Sequence, residues 1–312
     1  MKHLTGIGAL SDEDITEILS RTLVWDAALE TREGLGAPLK GRLLFNLFYE
    51  NSTRTSLSFQ VAATRMGADV ISVPVAASSV HKGESLKDTV LTLCAQGADF
   101  MVLRASGAGT IETACKAMAT FGYPTSVINA GEGAFGHPTQ GLLDAATLLK
   151  ATGRSLSEGL RGLTVAIVGD LLHSRVAAST APLLARLGAE VRYCGPEAML
   201  PQGDMPGVAM LTTDRAEALA GADVVMALRI QMERLEDGIT IDPVDYRRSY
   251  GLTREALSHA KPNVFVMHPG PMNRGVEIDT DVADDQARSL ILSQVAMGVP
   301  TRMAVLEFAA AL

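Results

Sequence analysis

Hydroxyls and one guanidinium crowd into a single stretch, Glu50-Asn51-Ser52-Thr53-Arg54-Thr55-Ser56. An apolar run from Leu43 to Phe48 precedes it and reads as a buried strand. Leu57, Val61, Ala62 and Met66 follow at a spacing that suits the inner face of a helix ending at Gly67. With Ser52 as N-cap, Thr53, Arg54 and Thr55 occupy the first helical turn. Unpaired backbone N–H groups point outward there and the helix dipole adds positive potential, so the chemistry offered is phosphate binding. An ordinary capped helix would carry the same Ser and Thr. These residues alone leave both readings open.

Other polar clusters also fall just after apolar runs. Arg104 follows Val102-Leu103. Asn129-Ala130-Gly131-Glu132-Gly133 leads to His137-Pro138-Thr139-Gln140. In the second half, Gly169-Asp170 and Arg175, then Arg229-Ile230-Gln231, then His268-Pro269-Gly270-Pro271, hold equivalent places. One strand-end arginine is ordinarily a solvated charge. Several of them in an acidic chain suit a cleft for strongly anionic ligands. His137, at a helix N-terminus, is biased toward the neutral imidazole and can donate a hydrogen bond to a carbonyl without bringing charge. A histidine that merely caps a helix would look the same. Gln140, three residues on, faces the same side of that helix. Arg229 and Gln231 share one side of an extended segment and suit a carboxylate, as do many solvated polar pairs. Ser78 and Lys82 lie in a loop of small residues before a helix.

The elements that must position these side chains alternate regularly. Strands are expected at 43–48, 69–73, 100–103 and 126–128, with helices at 11–30, 84–96, 111–121 and 138–151 between and around them. A polar, glycine-containing stretch at 152–162 marks the domain boundary. Strands at 163–168, 190–193, 224–228 and 264–267 follow, with a helix at 174–187 and two closing helices on either side of Pro300. Gly67, Gly97, Gly188 and Gly221 each stand between a helical pattern and a strand, as left-handed helix stops. The fold class is therefore α/β: two doubly wound domains with mainly parallel sheets, in which ligands gather beyond the carboxyl ends of strands. Domains are expected at 1–151 and 152–290, with 291–312 as a C-terminal helix.

Composition narrows the function classes. At 312 residues there is room for two cores, and 47% apolar residues with only 4% aromatics implies aliphatic packing. A net charge of −8 argues against nucleic acid and anionic membrane as partners. Cys94, Cys115 and Cys194 show no CxxC spacing, and the six histidines form no HxxxH or HExxH pair, so neither disulfides nor a metal site is expected. No signal-peptide pattern or membrane-length apolar stretch is present, and a cytoplasmic location is the expectation. Ile167-Val168-Gly169-Asp170 begins like a dinucleotide-binding unit but lacks the G-x-G-x-x-G glycines.

In their order and spacing, Phe48-Tyr49-Glu50-Asn51-Ser52-Thr53-Arg54-Thr55, Lys82-Gly83-Glu84, His137-Pro138-Thr139-Gln140, Arg229-Ile230-Gln231-Met232-Glu233-Arg234 and His268-Pro269-Gly270-Pro271 resemble the aspartate/ornithine carbamoyltransferase family. Arg229-x-Gln231 and His268-Pro269-Gly270-Pro271 resemble the branch whose acceptor is L-aspartate, because an arginine would repel the ammonium group of ornithine. The resemblance implies transfer of the carbamoyl group of carbamoyl phosphate to the α-amine of L-aspartate, an early step of de novo pyrimidine biosynthesis, with no cofactor. It implies that Ser52, Thr53, Arg54, Thr55 and Arg104 bind phosphate, with Ser78 and Lys82 reaching in from an adjacent subunit. Thr55, Arg104 and His137 would polarise the carbonyl oxygen, while Gln140 and the carbonyls of Gly270 and Pro271 hold the carbamoyl nitrogen. Lys82, Arg175, Arg229 and Gln231 would grip aspartate, and Glu50 would bridge to Arg175 and Arg234 on domain closure. The first domain would take carbamoyl phosphate, the second aspartate, and the last helix would return to the first. The expected assembly is a catalytic homotrimer, with regulatory chains or a dihydroorotase as the open extension. A carbamoyltransferase for another amino acid and a non-catalytic pathway scaffold are the competing readings. Val176, Gly270 and Met272 depart from the enterobacterial form of the motifs.

Overall fold

The computed structural model describes residues 2–74, 83–203, 205–230 and 241–312. They form two compact units, Met1–Ala146 with Val295–Leu312, and Thr147–Gln294.

In the first unit the chain runs α1 (Asp12–Thr31), β1 (Leu43–Phe48), α2 (Thr53–Arg65), β2 (Asp69–Val73), α3 (Leu86–Ala95), β3 (Phe100–Ala105), α4 (Thr110–Phe121), β4 (Ser126–Glu132) and α5 (Pro138–Thr152), the division falling inside α5. All strand pairs are parallel, in the order β2-β1-β3-β4. Ser11 starts α1 with a full capping box: its hydroxyl accepts from the Asp14 N–H while the Asp14 carboxylate accepts from the Ser11 N–H. Leu44, Phe45, Asn46 and Leu47 of β1 are all buried, as a strand covered on both faces requires. Phe45, Leu47, Met101, Leu103 and Val127 pack with Val90, Leu93 and Met118 from α3 and α4 to make an aliphatic core. The four glycines between helix and strand all have positive φ. At Gly67 a Cβ would also meet the Ala37 Cβ at 2.8 Å, so close packing reinforces the choice of glycine there.

The second unit contains β5 (Thr164–Val168), α6 (Ala177–Arg186), β6 (Glu190–Cys194), β7 (Val208–Thr212), α7 (Arg215–Leu219), β8 (Val224–Ala227), α8 (Pro243–Tyr250), α9 (Arg254–Leu257), β9 (Phe265–Met267) and α10 (Thr280–Ala283). Its sheet is parallel in the order β7-β6-β5-β8-β9. Strand β7 was not expected. It is an edge strand of alternating half-buried and exposed residues, too short and too mildly apolar to stand out from its loop. Helix α6 begins at Ala177, three residues later than its pattern suggests: Val176 holds the N-cap position without a side-chain cap bond, and the Ser174 hydroxyl in the preceding turn accepts from the Ala177 N–H at 3.2 Å.

The chain closes with α11 (Ile291–Ala310), one helix running through Pro300 rather than two helices beside it. A proline inside a helix costs about 3 kcal/mol. Complete burial of Met303, Val305 and Leu306, each contributing about 1.5–3 kcal/mol, outweighs that cost. Polar ties fix the helix to the first unit. Glu307 accepts from Trp25 Nε1 at 2.9 Å and Arg21 Nη1 at 3.2 Å, and the Ala309 carbonyl accepts from Lys2 N and Ser126 Oγ.

In each sheet the chain leaves its first strand toward one side and later returns to the other. The resulting switch points lie beyond the carboxyl ends of β1 and β3, and of β5 and β8. Crevices at such points are where doubly wound sheets bind ligands.

Candidate active site

At the first switch point β1 pairs with β3 so that Phe48 stands opposite Arg104, and the Tyr49 N–H donates to the Arg104 carbonyl. The two strand exits are thereby held together, and Glu50 reaches Arg104 with 3.6 Å between Oε2 and Nε. Arg104 is further fixed by Nη1 donating to the Ala130 carbonyl at 3.1 Å. That carbonyl lies on β4, so the guanidinium is braced from the neighbouring strand.

Helix α2 begins directly after β1. Ser52 occupies the N-cap position with extended backbone but makes no side-chain cap bond. Thr53 and Arg54 are exposed, whereas Thr55 turns inward and is 5% exposed. Its Oγ1 lies 3.3 Å from His137 Nε2, so the N-termini of α2 and α5 share a buried contact. His137 immediately precedes α5, and its carbonyl accepts from the Gln140 N–H at 2.9 Å in the first turn. Gln140 Nε2 donates to Asp144 Oδ1 at 2.9 Å. Two helix N-termini, the hydroxyls of Ser52, Thr53 and Thr55, the guanidinium groups of Arg54 and Arg104, and an imidazole thus gather in one unit. This set can hold a phosphate and polarise an adjacent carbonyl.

The second unit has its own cluster. Gly169 sits at the exit of β5 with φ +139, and a Cβ there would lie 2.5 Å from the Leu228 carbonyl oxygen. The Leu228 N–H donates to the Val168 carbonyl at 2.8 Å. These contacts set Arg229, the next residue, beside the Gly169-Asp170 turn. The glycine that looked like the start of a dinucleotide loop serves this close approach. Asp170 is fully buried and its Oδ1 contacts His173 Nδ1 at 2.8 Å. Arg175 is buried and Arg229 half-buried.

Beyond β9, His268 is 2% exposed. Its Nδ1 accepts from the Gly270 N–H at 2.8 Å, so the ring proton lies on Nε2 and is donated to Glu277 Oε1 at 3.1 Å. Gly270 has φ +68 and the Gly270–Pro271 peptide is cis. A buried histidine–glutamate pair therefore holds the backbone N–H groups of Gly270 and Asn273, on either side of Pro271.

Ser78, Lys82, Gln231 and Arg234 lie outside the described residues. Among those described, no group of three or more His, Cys, Asp or Glu side chains could hold a metal ion. Burial pushes the Cys115 thiol up to about 11 and the Cys194 thiol up to about 12, so neither offers a thiolate at neutral pH. Sequence reasoning missed Glu277, Asp144 and Arg302. Arg302 is buried on α11, donating to the Gly298 carbonyl at 2.9 Å and Thr139 Oγ1 at 3.4 Å. Its signal was an arginine between the apolar residues Val299 and Met303 of a mainly apolar helix.

A model of the aspartate/ornithine carbamoyltransferase carbamoyl-phosphate-binding domain matches residues 2–150, and one of the Asp/Orn-binding domain matches residues 161–309. The chain is 48% identical to the aspartate carbamoyltransferase catalytic subunit of Rhodospirillum rubrum over 306 residues, 98% of this chain and 93% of the relative. It is 53% identical to the corresponding subunit of Caulobacter vibrioides over 274 residues, 88% and 79% of the two chains. Aspartate transcarbamoylase from Trypanosoma cruzi, solved with N-(phosphonacetyl)-L-aspartic acid, superposes with a TM-score of 0.83 at 30% identity, covering 98% and 94%. The catalytic subunit of M. jannaschii aspartate transcarbamoylase gives a TM-score of 0.82 at 33% identity, covering 98% and 97%.

Proposed function

The chain belongs to the aspartate/ornithine carbamoyltransferase family, and on that footing we propose how its residues carry out carbamoyl transfer to L-aspartate. The observation that carries the reading is the first-unit cluster, with Thr55 against His137 and Arg104 braced between Glu50 and the Ala130 carbonyl.

Carbamoyl phosphate is close to a dianion and aspartate brings two carboxylates, so the reactants repel each other. Cationic side chains offset that repulsion and fix both partners in reacting geometry. Ser52, Thr53, Arg54, Thr55 and Arg104 take the phosphate, joined by Ser78 and Lys82 of an adjacent subunit in a homotrimer. Thr55, Arg104 and His137 polarise the carbonyl oxygen. Gln140 and the carbonyls of Gly270 and Pro271 hold the carbamoyl nitrogen. Lys82, Arg175, Arg229 and Gln231 hold the aspartate carboxylates.

The neutral α-amine attacks the carbonyl carbon and forms the new C–N bond. The tetrahedral intermediate then breaks its C–O bond to phosphate, which leaves with the proton lost by the amine. The products are N-carbamoyl-L-aspartate and inorganic phosphate, in the cytoplasm and at an early step of pyrimidine synthesis. Glu50, which pairs with Arg104 here, exchanges to Arg175 and Arg234 when both substrates are bound. The aspartate branch is favoured over ornithine because Arg229 suits a side-chain carboxylate and repels an ammonium group.

The test is a steady-state assay of phosphate and carbamoylated product with aspartate, ornithine and other amines as acceptors. Turnover with aspartate at least a hundredfold above the rest is expected. Preference for another acceptor, or no turnover with any, overturns the reading.

A further inference from the structure

The buried polar groups of the first unit include a set that the mechanism above does not use. Asp144 lies one turn after Gln140 on α5 and is fully buried. An ionised carboxylate can only accept hydrogen bonds. The contact of 2.9 Å between Gln140 and Asp144 Oδ1 therefore engages the NH2 end of the glutamine amide. With its NH2 end so engaged, the amide keeps Oε1 as its acceptor for other partners. Arg302 of α11 is a buried cation that the Asp144 carboxylate attracts electrostatically. It is buried, stacked 5.1 Å from the Phe59 ring centre and anchored to Gly298 and Thr139. Burial pushes its guanidinium down to about 9, the charge on Arg104 acts in the same direction, and the Asp144 carboxylate raises it again.

Resting on the carbamoyl-phosphate reading, we propose that Asp144, balanced by Arg302, is a positioning residue that locks the Gln140 amide with its oxygen toward the substrate and so selects a carbamoyl NH2 over an acyl methyl. A lone glutamine can turn its amide by 180° and offer either an acceptor or a donor at nearly equal cost. A buried anion behind it removes that freedom. Sites built to accept a substrate N–H reject analogues that lack it, because the acceptor is then left without a partner. Asp144 would thus set substrate selectivity without touching substrate.

The probes are carbamoyl phosphate, acetyl phosphate (methyl in place of NH2) and inorganic phosphate, with dissociation constants measured by calorimetry on the wild-type protein and variants. In Asp144→Asn the new amide can donate to Gln140 Oε1 and turn it away from the ligand. Carbamoyl phosphate is expected to weaken about 10- to 100-fold, while acetyl phosphate and phosphate change less than about threefold. In a Gln140→Ala background the same substitution should add nothing. Equal weakening of all three ligands would mark Asp144 as a general structural support and overturn the proposal, as would additive effects with Gln140→Ala.

Asp144→Leu with Arg302→Met removes both buried charges together, avoids stranding one of them, and should give the same loss of discrimination. Gln140→Ala alone must also abolish the preference for carbamoyl over acetyl phosphate. If it does not, the proposal fails whatever the folding of the other variants. Absence of aspartate carbamoylation by the wild-type protein would instead refute the functional reading, a separate outcome from intact turnover with unchanged selectivity.

Discussion

Replacing Gly169 by alanine tests how backbone packing sets the acceptor side of the site. The glycine has φ +139, a conformation that costs a residue with a Cβ about 1–3 kcal/mol. The added methyl would also lie 2.5 Å from the Leu228 carbonyl oxygen and 3.2 Å from its carbonyl carbon. Those are backbone atoms, so no side-chain rotation relieves the contact, and overpacking of this kind adds about 1–3 kcal/mol. A total of about 2–6 kcal/mol should lower the melting temperature of a unit this size by at least about 4 °C. Gly153→Ala is the control. It also has positive φ, at +65, but its Cβ would meet nothing within 4 Å. Its cost should be confined to the backbone, about 1–2 kcal/mol. Only the Gly169 variant displaces Leu228, and with it Arg229, so only that variant should raise the aspartate KM, by about tenfold or more. Calorimetric melting and steady-state kinetics on both variants decide the matter. Equal destabilisation, or an unchanged aspartate KM in Gly169→Ala, would show that the strand exits do not position Arg229.

Arg54→Ala removes an exposed cation from the first turn of α2. Turnover should fall by at least about a hundredfold while the melting temperature moves by less than about 2 °C; a matching loss of stability would put the arginine in the fold instead of the chemistry. Glu277→Leu takes the acceptor from two donors, His268 Nε2 and the Asn273 N–H. At about 1–3 kcal/mol each, the loss should show in urea unfolding, and carbamoyl phosphate should bind more weakly as the Gly270–Pro271 loop loosens; unchanged binding would separate that loop from the site. The cysteines should be silent toward Ellman's reagent at pH 8 in the native state, since at a pKa of about 11 only on the order of one Cys115 in a thousand is thiolate. Rapid reaction before denaturation would contradict the burial described for these thiols.

What the sequence disclosed follows from how locally each feature is encoded. β1 was legible to the residue, since an unbroken apolar run between polar segments has few other uses in a doubly wound sheet. Capping by Ser11 and the glycine stops were equally local. β7 was not legible because an edge strand need not be apolar on both faces. The continuity of α11 through Pro300 was hidden for a different reason: the sequence shows the cost of a proline but not the packing that outweighs it. Among site residues, the positions of Thr55 and His137 could be inferred from their helix N-termini, but their contact could not, since 82 residues separate them.

The residues that escaped notice share a property. Asp144, Arg302 and Glu277 are charged side chains at positions where helical or loop patterning gives no reason for a charge, and each is almost completely enclosed. Burying a single charge is so costly that it persists only with compensation. A charge within an apolar run therefore implies a partner elsewhere in the chain, even when the sequence does not say which. Here the partners prove to be a glutamine amide and an arginine for Asp144, and a histidine and a backbone N–H for Glu277. In both cases the compensating contacts end on a group assigned to the carbamoyl moiety: the Gln140 side chain in one unit and the Gly270–Pro271 loop in the other. In the mechanism proposed above, each unit would then place an enclosed carboxylate behind a group that meets the carbamoyl moiety, beside Gln140 in one and beside the His268–Asn273 loop in the other.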